Sequence, residues 1–220
     1  MVHIVDGVLS APILIGGVSI AITGVALGLR SIEPDRIPQV GLMSAAFFVA
    51  SLIHVPLGPS SVHLLLNGLA GLVLGWAVFP AVLIALLLQA VFFGYGGLTV
   101  LGVNVTLMAL PAIACYYVFR PMLNRGSAPR GGGAAFGWGA ATGAVAIVLT
   151  AAAVGLALAF SGEEFIPAAK LAFVAHIPVM VIEAVVTGAI VTLLQKVRPD
   201  VLAASAGAPS PALATAAGDG

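Results

Sequence analysis

The sequence predicts an all-α protein: a polytopic membrane helix bundle of about seven transmembrane helices, N-terminus outside and C-terminus cytoplasmic. Composition is the first reason. Of 220 residues, 61% are hydrophobic and only 7% are charged, too little charge to cover a water-facing surface. The length of the apolar runs is the second. The run from Val8 to Leu29 alone supplies the roughly 20 residues needed to cross a hydrocarbon core about 30 Å thick. The third is that these runs do not alternate polar with apolar. That excludes a β-barrel, the other architecture able to satisfy its backbone in lipid.

Spans are expected at about 8–29, 38–57, 61–76, 78–95, 98–119, 134–160 and 171–195. The first is followed by a polar link, Ser31–Ile37, containing Pro34. The second closes at the tight Gly58-Pro59-Ser60 turn. The third is short, and the Gly and Pro residues at its joints imply tilt or partial re-entry. Phe79-Pro80 opens the fourth, and Gly94–Gly97 separates it from the fifth. Arg120–Gly133 links the fifth to the sixth, and Ser161–Lys170 links the sixth to the seventh. Residues 1–197 are read as one transmembrane domain. Residues 198–220, rich in Ala, Ser, Gly and Pro, are expected to form a disordered cytoplasmic tail. No internal repeat is visible.

Basic residues set the orientation. Seven spans with the N-terminus outside place Arg30, Arg36, Arg120, Arg125, Arg130, Lys196 and Arg198 in the cytoplasm and leave only Lys170 outside. The expected location is therefore the cell (cytoplasmic or inner) membrane, crossed several times. Acidic and basic residues balance to a net charge of zero, which suggests no nucleic-acid partner and leaves the lipid bilayer as the surroundings. The single cysteine, Cys115, rules out an intrachain disulfide. The first basic residue is Arg30, so the positive region of a cleavable signal is missing, and the chain is expected to keep its N-terminus apart from loss of Met1.

Depth then separates the polar residues. His3 and Asp6 lie outside the first span. His54 stands near the outer end of the second, His63 near the outer start of the third, and His176 enters with the seventh. Asn104 sits about two turns below the outer face, and Glu183 lies deeper. Four histidines on one side of a membrane suit a binding site better than surface decoration.

The N-terminal segment, Met1-Val2-His3-Ile4-Val5-Asp6-Gly7, has the makings of a chelate. A terminal amine, a deprotonated backbone amide and an imidazole offer nitrogen donors to one ion, and a square-planar nitrogen array suits Ni(II) or Cu(II). With Met1 removed, the Val2 amine and the His3 amide and ring supply three nitrogens. His63 is the chosen fourth. With Met1 retained, the amine, two amides and the His3 ring make four on their own. Against this stands the ordinary reading of His3 as a solvated tail residue. His63 has the stronger case, because an ionisable residue within a span tends to face the bundle interior.

At these residues the chain resembles the CbiM/NikM family, the substrate-binding membrane subunits of energy-coupling-factor cobalt and nickel transporters. His3-Ile4-Val5-Asp6-Gly7-Val8-Leu9-Ser10 is similar to the start of that family. Gly58-Pro59-Ser60-Ser61-Val62-His63-Leu64 resembles its second histidine motif, and the stretch from Gln89 to Asn104 resembles a third pattern. The resemblance covers most of residues 3–195. It implies metal ligands at Val2, His3 and His63, and Ni(II) or Co(II) as the transported ion, with no cofactor. It also implies a coupling transmembrane subunit, two cytoplasmic ATPase subunits and, in many systems, a small accessory membrane subunit. Two departures stand out. The family begins Met-His, whereas Val2 intervenes here; and Asn is frequent near the position of His54.

The remaining polar residues each have two readings. His54 adds a ligand or reshapes the outer wall. Ser61 and Asn104 orient a ligand ring, or cap and cross-link helices. Asp6 anchors the N-terminal segment. His176 and Glu183, seven apart on one helix face, form a structural polar pair or a seam toward the metal; the structural role is favoured. Gly71/Gly75 and Gly139/Gly143 permit close helix approach, within the chain or against a partner.

The chain lacks a Gly-x-x-x-x-Gly-Lys-Ser/Thr phosphate loop, so energy for uphill import must come from another subunit. The chain itself is read as a transporter subunit and not an enzyme. The rival reading is an energy-independent divalent-metal channel or secondary transporter, whose expected signs are an inverted repeat or a through-going polar row; neither is visible. An intramembrane hydrolase using Ser60 or Ser61 with His176 lacks a recognisable nucleophile turn.

Overall fold

The structure, a computed structural model, describes residues 4–57, 60–124 and 132–203. Helix α1 (Ala11–Arg30) starts with Pro12 in its first turn, where a missing N–H costs nothing. Its buried residues are Gly17, Ala21, Gly24 and Gly28, a stripe at helical spacing. These small residues let α1 lie against Val103, Phe79 and Pro80, with no room for a Cβ at Gly17, Gly24 or Gly28. Ile15, Ile22 and Leu29 point away and are exposed, as a lipid-facing side requires.

Helix α2 (Ile37–Ala50) has only 14 residues, about 21 Å at 1.5 Å per residue and short of a full crossing. The chain then leaves the helix. Strand β1 (His54–Leu57) pairs antiparallel with β2 (Ser60–His63). The expected helical continuation to residue 57, and restart at 61, is therefore corrected, and the all-α class acquires one small hairpin. The physical reason lies in the sequence. Pro56 cannot donate within a helix, Val55 and Val62 favour an extended chain, and a two-residue Gly-Pro connection suits a hairpin.

Helix α3 (Asn67–Leu74) is buried at every residue and forms the axis of the bundle. It ends at Gly75, whose φ of +56° favours glycine. A 3-10 turn, Gly75–Ala77, leads into α4 (Val78–Phe93). The chain continues as α5 (Leu101–Asn124), α6 (Gly132–Ala159), α7 (Ile166–Val197) and the short α8 (Pro199–Ala203). Among the described residues, five stretches are long and apolar enough to cross a membrane: Ala11–Arg30, Asn67–Phe93, Leu101–Leu123, Gly133–Ala159 and Glu163–Val197. The chain is a multi-pass membrane protein.

The second of these stretches is not straight. Asn67 bonds to the Met108 carbonyl, Gly71 rests on the Ala112 backbone and Gly75 lies beside Tyr116, so α3 and α5 run the same way. Trp76 Nε1 donates to Tyr117 Oη at 2.9 Å, which puts the start of α4 near the end of α5. The short link 94–100 puts the end of α4 at the start of α5, so α4 runs opposite to α3. Bonds from Ser44 to the Ala81 carbonyl and from Gln89 to Ser51 likewise align α4 with α2. The third and fourth expected spans thus exist as two legs joined at Gly75–Ala77, the first leg half as long as expected.

Helices α6 and α7 pack antiparallel through glycine. Gly139 meets Gly188, and Gly143 meets the Glu183 backbone. Both small-residue pairs named from the sequence are thus used within this chain. At the C-terminal end, the tail expected to begin at 198 first forms α8, with Leu202 3% exposed in the core. Residues 204–220 lie outside the described residues.

Candidate metal centre

The predicted ligands Val2 and His3 lie outside the described residues, but the chain that follows them is firmly seated. Ile4 is buried. Its N–H donates to Asn104 Oδ1 at 3.2 Å, and its carbonyl accepts from Asn104 Nδ2 at 3.0 Å. One side-chain amide thus pairs with one peptide unit at two points, as a neighbouring strand would. Asp6 accepts from Thr99 Oγ1 at 2.5 Å and from the Val100 N–H at 3.2 Å, just before α5 begins. A carboxylate there meets amides left free at a helix start. It also occupies the space a Cβ at Gly97 would need. Farther on, the Ser10 N–H donates to Ser161 Oγ at 3.2 Å.

The hairpin is tied down at both feet. Before β1, Gln89 Nε2 donates to Ser51 Oγ at 2.7 Å, and Ser51 Oγ donates to the Phe48 carbonyl at 2.6 Å. After β2, the N–H groups of Leu65 and Leu66 both donate to Glu183 Oε1. Leu66 has φ +52°, unusual for a bulky residue. A residue in this left-handed region turns successive amides toward one anion, a backbone nest. Asn67, with no exposed surface, then donates through Nδ2 to the Met108 carbonyl at 3.3 Å and to Thr150 Oγ1 at 2.8 Å. The exit of β2 is thereby fixed to α5, α6 and α7 together.

His54 and His63 are cross-strand partners. Ser61 stands opposite Pro56 in the same register. His176 is elsewhere in its bonding: Nδ1 lies 2.6 Å from the Ala172 carbonyl, and Nε2 has no hydrogen-bond partner among the described residues. Its ring faces an apolar pocket lined by Ile147, Ala151, Ile177 and Met180. His176 and Glu183 therefore share a helix but not a hydrogen bond. Glu183 makes its contacts with the β2 exit, and its Oε2 has no hydrogen-bond partner among the described residues.

Sequence reasoning singled out Asp6, Asn104 and Glu183 but passed over Asn67, Gln89, Ser51 and Thr150. The overlooked signal was a lone polar residue inside an apolar run, which in lipid must find a partner. Among the described residues no three His, Cys, Asp or Glu side chains converge as a metal site, so the candidate centre depends on the N-terminal segment and the hairpin.

Residues 3–201 match the CbiM family, described as the cobalt uptake substrate-specific transmembrane region. A protein of Haemophilus influenzae named for metal transport is 44% identical over 206 residues, covering 91% of this chain and 96% of its own length. The cobalt transport protein CbiM of Sorangium cellulosum is 34% identical over 215 residues, covering 91% and 94%. A crystal structure described as a truncated transition-metal transporter superimposes with a TM-score of 0.69 at 25% identity, covering 88% of this chain and 98% of the other.

Proposed function

The chain belongs to the CbiM family, and from that premise we propose that it is the substrate-capturing membrane component of an ATP-driven energy-coupling-factor importer for Co(II) or Ni(II). One observation supports this above others. Asn104 and Met108, four apart and so on one face of α5, hold Ile4 and Asn67 respectively. Ile4 follows His3 directly, and Asn67 lies four residues after His63. A single helix face, one turn of about 5.4 Å, thus draws together the two segments that carry the proposed ligands.

The proposed ligand set is the Val2 amine, the His3 amide and ring, and the His63 ring. Nitrogen donors of this kind suit late first-row divalent ions. Asn104 and Asp6 seat the N-terminal segment, and Glu183 and Asn67 seat the β2 exit. Counting α2 with its hairpin, and α3, as passes gives seven crossings with the N-terminus outside, the orientation that also places most basic residues in the cytoplasm. The metal is captured at the outer face. ATP hydrolysis in two partner subunits, transmitted through a coupling membrane subunit, then moves this chain to open the site inward.

The test is calorimetric titration of Co(II) and Ni(II) into the full chain in lipid nanodiscs, with mass spectrometry of its N-terminus. Tight one-to-one binding that is lost on His63→Ala supports the reading. Absence of binding by the unaltered chain overturns it.

A further inference from the structure

Two arginines meet where α3 ends. The carbonyls of a helix's last turn have no partner within the helix, and that of Val73 accepts from Arg36 Nη2 at 2.9 Å. Arg36 Nε also donates to Gln39 Oε1 at 3.2 Å. That bond uses the acceptor of the Gln39 amide and leaves its Nε2 buried, with no hydrogen-bond partner among the described residues. From α5, Arg120 holds its guanidinium carbon 4.8 Å from the centre of the Tyr116 ring, and that ring lies beside Gly75. Arg120 is 6% exposed, and its Nη2 likewise has no partner among the described residues. Arg36 is near enough for the two charges to repel. Among the described residues the only ion pair is Arg198–Asp200, so neither arginine has a carboxylate there. A buried guanidinium without a counter-charge is costly, and an aromatic face offsets only part of that. The cluster therefore holds two positive charges and two idle N–H donors, Nη2 of Arg120 and Nε2 of Gln39.

We infer that Arg36, Gln39 and Arg120 form a binding site for the phosphodiester of an anionic phospholipid. A ligand made of acceptors completes a set made of donors, and guanidinium forks match phosphate oxygens. Depth selects a lipid as the source. Trp76 donates to the exposed Tyr117 at this end of the bundle, and these are the residue types that mark the headgroup level. Arg120 lies one turn beyond Tyr116 on α5, and Arg36 stands directly before α2, so both reach that level. Arg36, Gln39 and Tyr116 are half-buried, which keeps the cluster in contact with the headgroup layer. Basic pockets between spanning helices hold such headgroups on the cytoplasmic side. Assigning this end to the cytoplasm follows the orientation proposed above. The bound phosphate ties the start of α2 to the last turns of α5 across the end of α3.

The test uses the full chain, stripped of lipid in detergent. Phosphatidylglycerol, phosphatidylcholine or inorganic phosphate is added back, and bound molecules are counted by native mass spectrometry alongside thermal unfolding. The expected result is one phosphatidylglycerol per chain, retained in preference to phosphatidylcholine, with a raised unfolding midpoint. Arg36→Gln and Arg120→Gln should each weaken retention at least about tenfold, the scale of a lost charge-assisted hydrogen bond. Arg30→Gln, which removes an exposed arginine at the same end of the bundle, should leave retention unchanged. Equal retention of the two lipids, or equal losses in Arg30→Gln and Arg36→Gln, overturns the inference, because diffuse attraction to a basic surface accounts for either. A midpoint raised as far by inorganic phosphate alone overturns the lipid as the source. An unaltered chain that retains no anionic lipid also overturns the inference, whatever its affinity for metal. If Arg120→Gln does not fold, Arg36→Gln decides, since its side chain is only half-buried.

Discussion

Asn104 makes both of its bonds to the main chain of Ile4. Replacing it by Ala leaves a buried N–H and a buried carbonyl unmatched, each at about 1–3 kcal/mol. The cost falls on the seating of the N-terminal segment. Asn104→Ala should weaken Ni(II) or Co(II) binding by about 10–100-fold, as loss of a group that orients a ligand does; titration reads this directly. Asp6 and Asn104 were legible in the sequence because each is a polar residue beside or inside an apolar run. Their partners were not legible. Ile4 lies 100 residues from Asn104, and no spacing rule connects them. Glu183 offers a contrasting substitution. Glu183→Gln keeps an acceptor for the Leu65 and Leu66 amides, whereas Glu183→Ala orphans both. The Ala variant should therefore be the less stable by about 2–5 kcal/mol, measured as the difference in thermal or denaturant unfolding between the two variants.

Among the elements, the segment from 51 to 77 departs furthest from a hydropathy reading. An apolar count sees helix throughout, since hydrophobicity alone does not separate a buried strand from a buried helix. Pro56, the β-branched residues around it and the Gly-Pro connection did carry the signal. The early end of α2 and the late start of α3 follow from them. The short α3 is harder to anticipate. Eight helical residues, about 12 Å at 1.5 Å each, fall short of a bilayer's thickness unaided, and α3 exists because the surrounding helices bury it completely. Gly71 makes that possible, because its missing Cβ leaves space for the Ala112 backbone. Gly71→Val should cost about 1–3 kcal/mol through overpacking, with a lowered unfolding midpoint as the readout. Gly139 and Gly143 were correctly named as sites of close approach. Only the structure shows that α7 of the same chain is what approaches.

For the whole molecule, the apolar composition announced the membrane class and the basic residues announced an orientation. The docking of α8 was hidden, because Val201 and Leu202 are a lone pair of large apolar residues at the head of a tail made mostly of small and polar ones. Two outcomes belong at this scale. Metal ligation requires neutral imidazoles and a deprotonated amide, and imidazoles ordinarily hold a proton below about pH 6.5. The folded chain should therefore bind Ni(II) or Co(II) more weakly as pH falls through that range, by about tenfold or more per unit, in titrations across pH 5.5–7.5. Cells producing this chain without coupling and ATPase subunits should bind metal at their surface yet not accumulate it, as radiometal uptake with and without those subunits would show.

The bond between Asn104 and Ile4 has one more implication. It grips the peptide unit and ignores the side chain, so it records distance along the chain and not identity. Burial of the Ile4 side chain sets what residue 4 can be, whereas these bonds set only where its peptide unit lies. Each added residue would shift the free end by up to about 3.6 Å, more than the length of a metal–nitrogen bond. With the ligand set proposed above, the helix would act as a gauge against which the metal-binding end of the polypeptide is measured. Even a single leftover residue from an affinity tag would set that gauge wrong while every side chain of the bundle stayed in place.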